Sequence, residues 1–203
     1  MKLYDSGRAP NPRRVRVFLA EKSINIPTEQ IDMMVGAHRT PEYTAINPLQ
    51  RMPALVLDDG TIITESIAIC RYFEAQQPEP PLFGTGALEA AMVEMWNRRC
   101  EINLLLTVAN VFRHLHPAAA TLEVPQVPAW GEANKPRVLE FLKIFDGQVG
   151  KYRYAAGDRF SVADITALCA VDFLKPAKIE LPAELTNVKR WHAEVSARPS
   201  AKA

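Results

Sequence analysis

Cysteine is scarce in this chain: three residues in 203, Cys70, Cys100 and Cys169, far apart and with no C-x-x-C pair. An odd number at that spacing excludes a disulfide framework and a zinc finger, and it fits a reducing, cytoplasmic setting. Charge of one sign is lacking as well. Lys plus Arg total 24 against 23 for Asp plus Glu, a formal net charge of +1. That balance offers no electrostatic footprint for nucleic acid or for an anionic membrane surface. No apolar run approaches the ~18 residues of a membrane helix. Met1-Lys2-Leu3-Tyr4-Asp5 puts an acid where a signal peptide needs apolar residues. Glycine is sparse, nine in all, and neither a phosphate-cradling glycine loop nor an H-E-x-x-H pattern occurs. His114 and His116 stand two apart on an expected helix, so they face different ways and no metal site is expected.

What is present is an ordinary globular composition, 48% hydrophobic and 23% charged. A chain of this length buries roughly 70% of its unfolded surface without staples. Gln76-Gln77-Pro78-Glu79-Pro80-Pro81, followed by Gly84 and Gly86, admits neither helix nor central strand and reads as a linker. The expected division is residues 1–77, a linker over 78–86, and 87–203. The charge does not change across the boundary: residues 1–77 carry nine basic and nine acidic side chains.

The first part reads β-α-β-α-β-β-α. A strand is expected over Lys2–Asp5. A helix follows, with Asn11 as N-cap, Pro12 at the first helical position, and Val15, Phe18 and Leu19 as its apolar face. A weak strand lies near 29–32. Ala54-Leu55-Val56-Leu57, Asp58-Asp59-Gly60 and Thr61-Ile62-Ile63-Thr64 read as strand, tight turn, strand. A helix over about 65–75 places Ile67, Cys70 and Phe73 on one side. The Arg13, Arg14, Arg16 run reads as a solvated helix face. The second part reads as helices: one from about Leu88 to Arg113, one near 135–149 with Pro136 at a start or kink, and one around 188–197 with Trp191 in the core. Ser161-Val162-Ala163-Asp164 has the spacing of a capping box, with Phe160 and Ile165 at hydrophobic-staple positions. The three cysteines fall in apolar helical contexts, where a thiol is inert.

Four segments in order resemble the cytosolic glutathione transferase superfamily, over nearly the whole chain: Leu3-Tyr4-Asp5-Ser6 leading to Pro12-Arg13-Arg14-Val15-Arg16-Val17; Asn47-Pro48-Leu49-Gln50-Arg51-Met52-Pro53-Ala54-Leu55; Thr64-Glu65-Ser66-Ile67-Ala68-Ile69; and Ala156-Gly157-Asp158-Arg159-Phe160-Ser161-Val162-Ala163-Asp164. The resemblance implies an N-terminal thioredoxin-like domain (α/β), a C-terminal all-helical bundle, a homodimer, and an enzyme that uses glutathione as co-substrate.

On residues alone, Pro53 either starts a strand or follows a cis bond, which a tertiary amide allows at ~0.5–1 kcal/mol. The resemblance makes it cis, with the Met52 main chain pairing with the cysteinyl unit of glutathione. Glu65 and Ser66 are favourable helix openers in any case. The resemblance adds that Ser66 and the helix N–H groups hold the γ-glutamyl carboxylate, with Glu65 on the ammonium. It also places His38, Gln50 and Arg51 around the glycyl carboxylate, where the residues alone read as solvated surface. The family activates the thiol with a Tyr, Ser or Cys after the first strand. Aligned on Arg14-Val15-Arg16, the serine position falls on Ala9 and the cysteine position on Pro10, and neither carries a side-chain donor. Asn11 is the leading substitute, similar to the asparagine of the nu-class and related disulfide-reducing branch, whose accompanying threonine is absent here. Ser6, Tyr4, Arg8 and backbone N–H groups stay open. Phe112 and His116 are the expected acceptor-site residues. Trp96, Trp130 and Trp191 are core candidates first.

The expected activity is conjugation of glutathione thiolate to small hydrophobic electrophiles. Two alternatives stay open: glutathione-dependent disulfide or peroxide reduction, and a non-catalytic glutathione-binding or protein-interaction module.

Overall fold

The computed structural model describes residues 1–7 and 9–203, so Arg8 lies outside the described residues. The chain divides into two compact units, Met1–Pro81 with Lys202–Ala203, and Leu82–Ala201.

In the first unit β1 (Lys2–Asp5), α1 (Pro10–Glu21), β2 (Thr28–Gln30), α2 (Pro41–Ile46), β3 (Ala54–Val56), β4 (Ile62–Thr64) and α3 (Ser66–Gln76) succeed one another. The strand order is β2-β1-β3-β4. β1 pairs parallel with β2, across the helical crossover such pairing needs, while β1–β3 and β3–β4 are antiparallel. This is the thioredoxin-like arrangement. The β3–β4 turn closes as its residues require: Gly60 has φ +85°, and Asp59 accepts the Thr61 N–H at 2.9 Å. Leu3, Val15, Phe18, Leu55, Ile69, Cys70 and Phe73 form the buried core. On α3 the fully buried isoleucine is Ile69, with Ile67 half-buried.

Two expectations about α1 are overturned. The helix begins at Pro10, with Ala9 as its uncapped N-cap. Pro10 presets the helical φ one position before Asn11, so Asn11 lies inside the first turn and does not cap it. The arginines are not a solvated face either. Arg14 is 1% exposed, because it precedes Phe18 by one turn on the buried stripe, and Arg16 turns onto buried Asp5.

Lys22, just past α1, is also fully buried. Its ammonium donates to the carbonyls of Gln77 (2.7 Å), Pro78 (3.3 Å) and Pro80 (2.7 Å) and pairs with Glu74 at 2.7 Å. The Gln77 side-chain amide returns a bond to the Lys22 carbonyl at 2.6 Å. Prolines cannot donate to a ladder, so the segment is held through its carbonyls instead.

The second unit is helical: α4 (Gly86–Cys100), α5 (Leu106–Leu115), α6 (Pro128–Lys151), α7 (Val162–Phe173) and α8 (Thr186–Ser196). The single helix expected from Leu88 to Arg113 is α4 and α5 joined without a break through a π-helical stretch, Glu101–Leu105. There Thr107 Oγ1 donates to the Ile102 carbonyl at 3.2 Å. α6 starts at Pro128, earlier than expected, and runs through Pro136. α7 is apolar nearly all round and is buried through Val171, as a central helix must be. Trp191 meets Phe145 edge to face at 4.9 Å, within a core that includes Leu104, Val108, Leu142 and Leu168.

Asp164 joins three parts of this unit. Its carboxylate accepts the Ser161 N–H (3.0 Å) and hydroxyl (3.1 Å), the Ala155 N–H (2.8 Å) and the Trp191 indole N–H (2.8 Å). Complete burial pushes its carboxyl up to about 6, against the pull of those four hydrogen bonds. A carboxyl raised in the fold contributes stability that is fully present below its unfolded value of 3.8 and is lost as pH rises through 6. Asp164→Asn lacks that titration. The stability of the unsubstituted protein relative to Asp164→Asn therefore falls by roughly 2 kcal/mol between pH 4 and pH 7, read by urea denaturation at the two values. Lys22→Met keeps the stem but removes the donor to Gln77 and Pro80. It lowers stability by about 3–5 kcal/mol, seen as a reduced urea midpoint at unchanged slope.

Candidate active site

Strand register brings five of the sequence-expected residues, Ser6, Met52, Pro53, Glu65 and Ser66, to one end of the sheet. Tyr4 pairs with Ala54, Ala54 with Thr64, and Asp5 with Gln30. One step on in the same register stand Asp5, Pro53 and Glu65. Ser6, Met52 and Ser66 lie immediately beyond.

The Met52–Pro53 bond is cis, and both residues are buried. The preceding peptide is clamped. The Arg51 carbonyl accepts from Tyr43 Oη and from Asn47 Nδ2, each at 2.7 Å. Asn47 Oδ1 takes the Leu49 N–H at 3.1 Å, closing an Asx turn that shapes the approach to Met52. Burial pushes the Tyr43 phenol up to about 12, so it remains a donor at any ordinary pH.

Glu65 is exposed and sits at φ +66°, ψ +119°, a region that costs a non-glycine residue about 1–3 kcal/mol and clusters at ligand sites. It directly precedes Ser66, which opens α3 and is 5% exposed. The first-turn N–H groups of a helix have no intrahelical acceptor, and here they share the sheet end with the Met52 peptide.

The loop from β1 into α1 is held by a network that sequence reasoning missed. Asp5 is completely buried. It accepts two bonds from Arg16 Nη1 (2.7 and 2.9 Å), one from Gln30 Nε2 (2.9 Å) and one from the Ser6 N–H (2.6 Å). Arg16 Nη2 also donates to the Gly7 carbonyl at 3.1 Å, and Gln30 Oε1 accepts the Gly7 N–H at 3.0 Å. Both ends of this clasp are polar residues on otherwise ordinary elements. The available signal was an acid closing a buried strand, which requires a partner. Ser6 is 9% exposed. Tyr4 packs edge to face on Tyr43, ring centres 6.0 Å apart. Asn11 is exposed, with its Oδ1 accepting from Arg14 Nη1 at 3.3 Å.

His38 is buried with neither ring nitrogen hydrogen-bonded among the described residues. Its pKa is lowered, first by burial and then by the charges of Arg39 and Arg51. Gln50 has φ +53° and donates to Thr44 Oγ1 at 3.0 Å. Arg51 is exposed.

In the second unit Phe112 stacks on His116 at 4.8 Å and meets Phe173 at 5.2 Å. His116 Nδ1 accepts the Ala118 N–H at 3.1 Å, which leaves the ring proton on Nε2. Trp96 and Trp191 are core residues, Trp130 is 45% exposed, and the three cysteines are buried. No group of three metal-ligating side chains occurs among the described residues, and no helix among them is long and apolar enough to cross a membrane.

Comparison with known proteins agrees with this geometry. Residues 9–76 match the family model of the glutathione S-transferase N-terminal domain, and residues 128–199 that of the C-terminal domain. The chain is 36% identical over 205 residues to glutathione S-transferase 2 of Saccharomyces cerevisiae, covering 100% of this chain and 88% of that protein. It is 31% identical over 216 residues to glutathione S-transferase 3 of Zea mays, covering 98% and 90%. The crystal structure of Gtt2 from Saccharomyces cerevisiae superposes with a TM-score of 0.95 at 36% identity, covering 100% of this chain and 99% of that one. A glutathione S-transferase domain-containing protein from Marinobacter aquaeolei VT8 gives 0.95 at 38% identity, covering 98% and 99%. A sheet that gathers the Met52 peptide, Glu65 and Ser66 at one end, and matches of this extent along both halves, make the chain a member of the glutathione S-transferase family.

Proposed function

We propose that the protein is a glutathione transferase that joins the thiolate of glutathione to small hydrophobic electrophiles. The observation that carries the reading is the shared sheet end: a buried cis peptide at Met52–Pro53 level with the α3 N-terminus at Glu65–Ser66. The part read from sequence as 1–77 binds glutathione. The 87–203 part supplies the acceptor side, with Phe112 and His116 as its contacts.

An extended tripeptide suits this edge. The Met52 main chain takes the cysteinyl unit by strand-like pairing, against Pro53. Ser66 and the first N–H groups of α3 take the γ-glutamyl carboxylate. Glu65 takes the ammonium, since a bare carboxylate beside a bound one is repulsive. His38, Gln50 and Arg51 take the glycyl carboxylate. A buried imidazole with two unsatisfied nitrogens calls for a partner, and a carboxylate supplies one.

The thiol needs a donor. A free thiol near pKa ~8.5 is about 3% ionised at pH 7. One hydrogen bond to the charged form is worth ~1.5–3 kcal/mol, one to two units of pKa. Backbone donors at the start of α1 are few. Pro10 and Pro12 carry no N–H, and the Arg13 N–H is bonded to the Ala9 carbonyl at 3.3 Å. That favours the Asn11 side chain, with Ser6 as second candidate. Asn11 is free of the capping duty its sequence context suggests, and its Nδ2 makes no hydrogen bond among the described residues. We further propose a cytoplasmic homodimer, as is usual for the family.

Calorimetric titration with reduced glutathione tests the reading. Binding between micromolar and low millimolar is expected, and absence of heat at two temperatures overturns it. Ser66→Ala weakens that affinity by about 1–3 kcal/mol, the cost of one charge-assisted hydrogen bond. Unchanged affinity in a folded Ser66→Ala protein removes this residue from the site.

A further inference from the structure

We propose that Arg14 is a positioning residue that fixes which end of the Asn11 amide faces the glutathione thiol. The inference rests on Asn11 being the thiol donor. A carboxamide has an accepting oxygen on one branch and a donating NH2 on the other, and only the second stabilises a thiolate. An exposed asparagine is free to present either. Here the choice is made by Arg14, whose Nη1 donates to Asn11 Oδ1 at 3.3 Å. With the oxygen held by a cation, the NH2 is turned the opposite way, and it makes no hydrogen bond among the described residues.

Three features set this contact apart from a surface hydrogen bond. Arg14 is 1% exposed on the core stripe of α1, a costly place for a guanidinium. Its stem is immobilised by that burial, so the head holds a defined place at the first turn. The helix cap does not orient Asn11, because the N-cap is Ala9 and both neighbours, Pro10 and Pro12, are prolines without N–H groups. A guanidinium on the oxygen also withdraws electrons from the amide and makes its NH2 the stronger donor. Arg16 is engaged by Asp5 and Lys22 by Glu74.

The test is a double-mutant cycle with Asn11→Ala, Arg14→Lys and the combined variant. The readout is the pKa of enzyme-bound glutathione, followed by thiolate absorbance against pH, together with kcat and KM for an activated aryl chloride. Lysine keeps the charge and the stem but not the fork that reaches Oδ1. Asn11→Ala is expected to raise the bound-thiol pKa by about one unit. Arg14→Lys should raise it by a similar amount, with KM for glutathione nearly unchanged, and the combined variant should go no further. If Asn11→Ala shifts the thiol and Arg14→Lys does not, the positioning role is overturned while Asn11 stands. If Asn11→Ala leaves the thiol unmoved, the donor assignment itself fails.

A second measurement covers failure of Arg14→Lys to fold. In the unsubstituted protein the Arg14 Nη protons should give slowly rotating, resolved NMR signals that collapse in Asn11→Ala. Signals identical in the two proteins overturn the contact. Asn11→Asp should retain them through an ion pair while raising the thiol pKa beyond the alanine variant, because it offers the thiolate a negative oxygen. An unchanged thiol pKa there again overturns the donor role.

Discussion

The functional reading depends on hydrogen-bond register across β1, β3 and β4. Tyr4, Ala54 and Thr64 stand level, so the chain leaves β1, enters β3 and leaves β4 at one end of the sheet. A slip of one residue would invert the faces of every side chain along a strand. It would also separate the Met52 peptide from the start of α3. The core makes such a slip costly: Leu3 and Leu55 are paired across β1 and β3 and both are fully buried, each contributing about 1.5–3 kcal/mol by leaving water.

Around that frame, polar groups inside the first unit hold loops instead of strands. The Asp5 carboxylate gathers Arg16, Gln30 and the Ser6 N–H, so the turn leading to α1 is anchored at its base. The Arg51 carbonyl, held by Tyr43 and Asn47, does the same before the cis peptide. Lys22 fastens the proline-rich segment through three carbonyls. Each buried polar group has partners that repay part of its desolvation. The rigidity this brings lets a small ligand meet a preformed edge at low ordering cost. His38 differs, being buried with neither ring nitrogen hydrogen-bonded among the described residues.

The second unit is organised by Asp164 in the same way. One carboxylate links the α7 N-terminus, the turn at Ala155 and the Trp191 indole. The Ser-x-x-Asp spacing announces a capping box, but a cap alone needs only the local backbone. Reaching Ala155 and Trp191 is a tertiary addition, and complete burial turns a surface device into a pH-sensitive one.

By itself the sequence determined the element order, the tight turn at Asp59-Gly60, the α7 start and the glutathione transferase resemblance. These are local or periodic features, carried by residue type and spacing. Helix starts were less legible: Asn11-Pro12 is the better opening by residue type, yet α1 opens at Ala9-Pro10. Tertiary structure alone decided the fate of the charges. Arg14 and Arg16 are indistinguishable from solvated arginines until Phe18 places one on the core stripe and Asp5 meets the other. The same holds for Asp5 itself and for Lys22. For Arg16, Asp5 and Lys22, burial depends on partners 11 to 58 residues away in the chain, and no local pattern encodes such a distance.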